Sequence, residues 1–114
     1  MDYQHRELAQ GRWARMPLVE QMANIGSEVE RALNWRAKNN TDYSLRAAER
    51  AIELSGLSLA GARTLPRLKE IARVKEILLD YFYGPNECGS TEASLRNYFS
   101  HFTYAARCAG LKRE

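Results

Sequence analysis

Between Pro17 and about Lys38 the apolar residues Leu18, Met22, Ile25, Val29 and Leu33 recur at steps of three and four. That spacing closes one face of an α-helix; a strand, whose faces alternate at every second residue, cannot use it. The pattern returns in Leu45, Ala48, Ile52 and Ser55, in Leu68, Ile71, Val74, Leu78, Tyr81 and Phe82, and in Leu95, Tyr98, Phe99, Phe102 and Ala106. No stretch of useful length alternates as a strand would. The chain is therefore expected to be all-α, a single domain over 1–114 built as a compact up-down four-helix bundle. Helices are predicted over about 17–38, 42–55, 66–83 and 91–109, after a short leader over 1–16.

Helix punctuation supports these limits. Pro17 suits a first helical position, where a missing N–H costs nothing, and Asn39 and Asn40 read as a stop. Thr41 or Asp42 can cap the second helix and Gly56 can end it, so Leu57 to Leu65, with Gly61 inside, reads as a loop. Pro66 restarts the chain, Gly84-Pro85 ends the third helix, Ser90 or Thr91 caps the last, and Gly110 stops it. Gly26 stands in the middle of the first long helix, where glycine costs about 1 kcal/mol relative to alanine. With Ala23 and Ser27 beside it, it predicts a close approach by another helix.

A hydrophobic fraction of 45% with 27% charged residues is that of a folded chain, and 114 residues suffice for one core. The net charge of +3 permits nucleic-acid contact without demanding it. Two cysteines, Cys88 and Cys108, are too few for a secreted disulfide framework, so a reducing cytoplasm is expected. Met1 to Gln10 are polar where a signal peptide would be apolar, and no run is long enough to span a membrane.

The segment Arg96-Asn97-Tyr98-Phe99-Ser100-His101 pairs an arginine and a histidine across four residues, with a polar residue directly after the arginine. It resembles the signature of the HEPN domains, small all-helical prokaryotic proteins that are often dimeric, many of them metal-independent ribonucleases of toxin or defence systems. The resemblance implies that Arg96 would hold the scissile phosphate while His101 served as general base or acid toward a ribose 2′-hydroxyl. On a regular helix the two lie about 140° apart around the axis, flanking a polar face that carries Asn97, Ser100 and Tyr104. A symmetric dimer would be needed to bring them together.

Three longer stretches, Trp13-Ala14-Arg15-Met16-Pro17-Leu18, Glu20 through Val29 and Asp80-Tyr81-Phe82-Tyr83-Gly84, resemble a family of short uncharacterised prokaryotic proteins. That resemblance implies a compact helical fold and brings no activity with it.

Other residues are weighed against plainer roles. Arg6, Arg12, Trp13 and Arg15 could contact phosphates and stack on an unpaired base, although a tryptophan beside a bundle more often caps the core. A metal would require His5, His101, Cys88 and Cys108 to converge, because no CxxC, HxxxH or Glu-x-x-His spacing occurs. The loop from Gly84 to Gly89 lacks the Gly-Lys-Ser or Gly-Lys-Thr chemistry of a nucleotide loop, and Ser44, Ser55 and Ser58 have no nearby His and acid pattern. Neither a metal nor a cofactor is expected.

The leading expectation is a non-catalytic homodimeric interaction module, since the aromatic supply exceeds what so small a core needs. Tyr81, Tyr83, Tyr98 and Tyr104 with Trp35 are its candidate interface. The alternative is the HEPN-like ribonuclease with catalytic Arg96 and His101, restrained by an antitoxin-type protein partner. Asn97, Tyr104, Trp13 and Arg15 are the candidate binding residues, and RNA binding without catalysis is a third reading.

Overall fold

The computed structural model describes residues 6–113 and consists of five helices with no strand among them: α1 Arg6–Arg15, α2 Leu18–Ala37, α3 Thr41–Ala60, α4 Leu65–Tyr83 and α5 Glu92–Arg113. The all-helical expectation holds, with a helix more than the four predicted. Helix α2 is central, packing against both α3 and α5, while α4 packs on α3 and α1 also lies against α3. No described helix is long and apolar enough to cross a membrane.

Part of the stretch read as a leader is thus α1, and a closed set of buried hydrogen bonds joins it to the rest. The Trp13 indole N–H donates to Ser58 Oγ at 2.9 Å, and that hydroxyl donates to Gln21 Oε1 at 2.8 Å. The Gln21 amide in turn donates to the carbonyls of Trp13 at 2.8 Å and Met16 at 3.0 Å. Three helices meet in one polar knot, and no buried side-chain polar atom among the described residues lacks a partner.

The same contacts explain why the second predicted helix does not end at Ser55. Its buried stripe is Ser44, Ala47, Ala48, Ala51, Ser55 and Ser58, small residues at helical spacing that continue past Gly56. The apolar periodicity had instead placed Leu45 and Ile52 inward; both are only half-buried. Small side chains let α2 and α3 approach closely, and Ser44 Oγ donates across the contact to the Ala32 carbonyl at 2.8 Å. The loop read over Leu57 to Leu65 shrinks to residues 61–64.

Several ends shift for local reasons. Pro17 is the residue before α2 rather than its first, and Asn39 closes that helix with a φ of 62°, the left-handed conformation asparagine tolerates. Asn40, not Thr41 or Asp42, caps α3 by accepting from the Tyr43 N–H at 3.1 Å. Thr64 caps α4, with Pro66 in its first turn. Thr91 and Ser94 cap α5 reciprocally, each side-chain oxygen accepting from the other's backbone N–H at 3.0 and 2.9 Å. Gly110 does not stop α5, which continues to Arg113.

Between α4 and α5 the chain folds over one aspartate. The Asp80 carboxylate accepts from the backbone N–H groups of Cys88 and Glu87, each at 2.9 Å, and its carbonyl accepts from Gly84 and Asn86. These bonds, that from Cys88 foremost, hold the Asp80 carboxyl below its ordinary pKa of 3.8.

The predicted close approach at Gly26 is present. A Cβ on Gly26 would stand 2.8 Å from Phe99 Cβ, so α5 rests directly on the α2 backbone. Phe99, Leu95, Met22, Ile25 and Val29 belong to one buried cluster with Val74 and Leu78 of α4. Because Phe99 Cβ is fixed to its own backbone, Gly26→Ala cannot be absorbed by a side-chain rotation. We expect it to destabilise the fold by about 1–3 kcal/mol in chemical denaturation despite the better helix propensity of alanine.

Candidate functional site

The sequence signature on α5 opens into a groove of about 450 Å³ between α2 and α5, lined by Gly26, Ser27, Glu30, Arg96, Phe99, Ser100, Thr103, Tyr104 and Arg107. Its floor is the Gly26–Phe99 contact. Arg96 sits at one end because α5 lies close enough for its guanidinium to reach α2. Nη1 donates to the Glu30 carboxylate, Nη2 donates to Asn34 Oδ1 at 3.0 Å and to Glu92 Oε1 at 2.9 Å, and Nε donates to Glu92 Oε1 at 3.1 Å. All three nitrogens are engaged, two carboxylates neutralise the charge, and the pairing, with Glu92 first, raises the already high Arg96 pKa. The arrangement fastens α5 to α2.

His101 does not share the groove. It is exposed, about 140° around α5 from Arg96, and the groove lining passes from Ser100 to Thr103 without it. Asn97 is exposed and also lies outside the lining. Tyr104 does line it and is 63% exposed. Within one chain, then, Arg96 and Tyr104 come together while Arg96 and His101 do not.

The leader residues separate as well. Trp13 is 8% exposed with its indole N–H on Ser58, so its ring caps the core and presents no face for base stacking. Arg15 is exposed and donates through Nε to the Gly11 carbonyl at 3.1 Å. His5, and the side chain of Arg6, lie outside the described residues. Cys88 is exposed, Cys108 is half-buried, both are free thiols, and no group of three or more metal-ligating side chains forms among the described residues.

Trp35, Tyr81, Tyr83 and Tyr98, read as part of one interface, each have intramolecular partners. Trp35 meets Tyr43 edge-on at 4.8 Å between ring centroids, and the Arg36 guanidinium stacks 4.6 Å above Tyr81. Tyr98 is half-buried beside α4 and donates to Glu70 Oε2 at 3.0 Å; burial first, and the Glu70 charge second, push its phenol well above the ordinary value. Tyr83 is 51% exposed at the end of α4, donating to the Leu45 carbonyl at 3.1 Å.

A different exposed surface emerges on α4. Leu65, Leu68, Leu79 and Tyr83 are 62%, 41%, 43% and 51% exposed, four of the six exposed large hydrophobic residues among the described residues. At 100° per residue they share, with Ala72, an arc of about 60°, centred about 120° from the arc of the buried Ile71, Val74 and Leu78. Leu68, expected inward, belongs to this outer arc. The signal was present in the sequence as a helix with more apolar residues than one face accommodates.

Comparison with protein-family models, with curated proteins and with solved structures finds no match for this chain.

The ion pairs and the exposure of the α5 residues predict opposite consequences for the two halves of the signature. Arg96→Gln should lower the melting temperature by about 5 °C, near 1 kcal/mol, because Glu30 and Glu92 lose their shared partner. His101→Gln should leave it unchanged to within about 0.5 kcal/mol. Thermal melts followed by circular dichroism compare the two.

Proposed function

We propose that this protein is a non-catalytic interaction module that acts as a homodimer through the outer face of α4. The observation that carries the reading is the leucine-rich stripe of α4, four large apolar side chains on one arc of a helix that uses its other apolar arc for its own core. Water contact with such a stripe is unfavourable, and covering it is the commonest use of an apolar surface of this kind.

A second copy fits the stripe because the stripe is nearly symmetric about its middle. Two α4 helices set antiparallel about a two-fold axis near Arg73 and Val74 place Leu65 opposite Tyr83 and Leu68 opposite Leu79 of the other copy. The small Ala72 then lies beside the crossing. Lys69 and Glu76 border the stripe on the same flank, so each lysine comes within reach of the other copy's glutamate, giving two such pairs in the dimer. Every contact is made by one patch meeting itself, as a two-fold interface requires.

The ribonuclease reading gains less. It would require Arg96 to leave Glu30, Glu92 and Asn34, and His101 to be brought from another copy into the α2/α5 groove.

Light scattering on size-exclusion fractions tests the α4 interface. Leu68→Lys or Leu79→Lys should weaken the dimer by about 100-fold or more, since each change strikes the interface twice. Lys69→Glu and Glu76→Lys should each weaken it by about tenfold, and the double exchange should restore it. A dimer indifferent to the leucine changes would place the interface elsewhere.

A further inference from the structure

Helices α2 and α3 enclose an open cleft of about 320 Å³ on the face away from the α5 contact, lined by Arg31, Trp35, Tyr43, Arg46, Ala47 and Arg50. Among the described residues, the lining holds three arginines and two aromatic rings and no carboxylate. We propose that it binds single-stranded nucleic acid, with the arginines on the phosphates and the aromatic pair offering a surface for an unpaired base.

Helix geometry assembles the cleft. Arg31 and Trp35 are one turn apart on α2, as are Tyr43 and Ala47, and Arg46 and Arg50, on α3. The small Ala47 and Ala48 at the contact let the two helices lie close, so side chains from both project over one floor. Trp35 and Tyr43 meet edge-on with an interplanar angle of 81°, which fixes Tyr43 while leaving it 47% exposed. The Arg46 guanidinium lies 5.7 Å from the centroid of that ring, and Lys38 Nζ lies 5.2 Å from the Trp35 ring, adding a fourth cation at the edge.

A carboxylate beside the lining ties two of the arginines together. Glu28, behind the lining, accepts from Arg31 Nη1 at 2.6 Å and stands 3.7 Å from Arg50 Nη1. One carboxylate therefore contacts two arginines whose side chains remain 55% and 45% exposed. A guanidinium presents several N–H donors, so a phosphate can bind while Glu28 keeps its contact. Positive charge that follows a backbone, combined with rings on which any base can stack, is the chemistry by which proteins hold single strands. A simple anion would use the arginines alone; an acidic peptide would leave the rings unused.

Fluorescence anisotropy of the full-length protein with a labelled single-stranded oligonucleotide of about eight nucleotides, in RNA and DNA forms, tests this. Binding should weaken as salt rises, with a log–log slope of about −2 for three phosphate contacts. Arg46→Ala and Tyr43→Ala should each weaken binding about tenfold or more, with the circular dichroism spectrum unchanged, while Arg63→Ala, outside the cleft, should not. Inorganic phosphate and an oligoglutamate of matched charge should compete poorly. Absence of oligonucleotide binding at low salt, indifference to the cleft variants, or equal competition by phosphate or oligoglutamate would each overturn the proposal.

Discussion

Phe99 seated on the bare backbone of Gly26 is the contact on which the rest of the structure depends. It brings α5 against α2 at a distance that no larger residue allows, and this lets Arg96 reach Glu30 and Asn34 across the helix boundary. On its other side α2 meets the alanine and serine stripe of α3, where small residues again set the spacing. Helix α2 can thus be covered from two sides at once, and α4 completes the core from α3. The polar knot of Trp13, Gln21 and Ser58 then binds α1 to this framework. Close packing and satisfied buried polar groups act together, so a fault in either would be felt across several helices.

That arrangement also determines what stays outside. Helix α4 supplies Val74 and Leu78 to the core with one arc and is left with a second apolar arc whose large side chains stay 41–62% exposed. The α2/α3 contact, close because its residues are small, turns longer arginine and aromatic side chains outward over a common floor. The two surfaces have different chemistry, one aliphatic and bordered by paired signs, the other cationic and aromatic. They accordingly suit different occupants, a second copy on the first and a polyanion with stackable rings on the second.

The sequence made the helices legible wherever large apolar residues marked the buried face, as in Met22, Ile25, Val29 and Leu33 of α2. It was less informative for α3, where the buried stripe is alanine and serine and the larger Leu45 and Ile52 lie at its margin. Small residues carry little hydropathy, so their periodicity is seen only once a partner helix is in place. Gly26 was readable because glycine within a helix needs a reason, and close packing is one. The Arg96 and His101 spacing is readable as a motif, and Glu92, one turn before Arg96 on the same helix, is readable as its i,i+4 partner. Glu30 is not, because it lies on α2 and only packing brings it to the arginine. The convergence of Arg31, Arg46 and Arg50 is not legible for the same reason, each resembling an ordinary solvated charge until α2 and α3 are laid side by side.

The account stands most directly on self-association, and sedimentation of the unmodified chain over a wide micromolar range measures it. A dimer of twice the chain mass of 13.1 kDa, dissociating on dilution, is the predicted result. A single species at 13.1 kDa throughout that range would contradict it, leaving the apolar face of α4 without the second copy proposed to cover it.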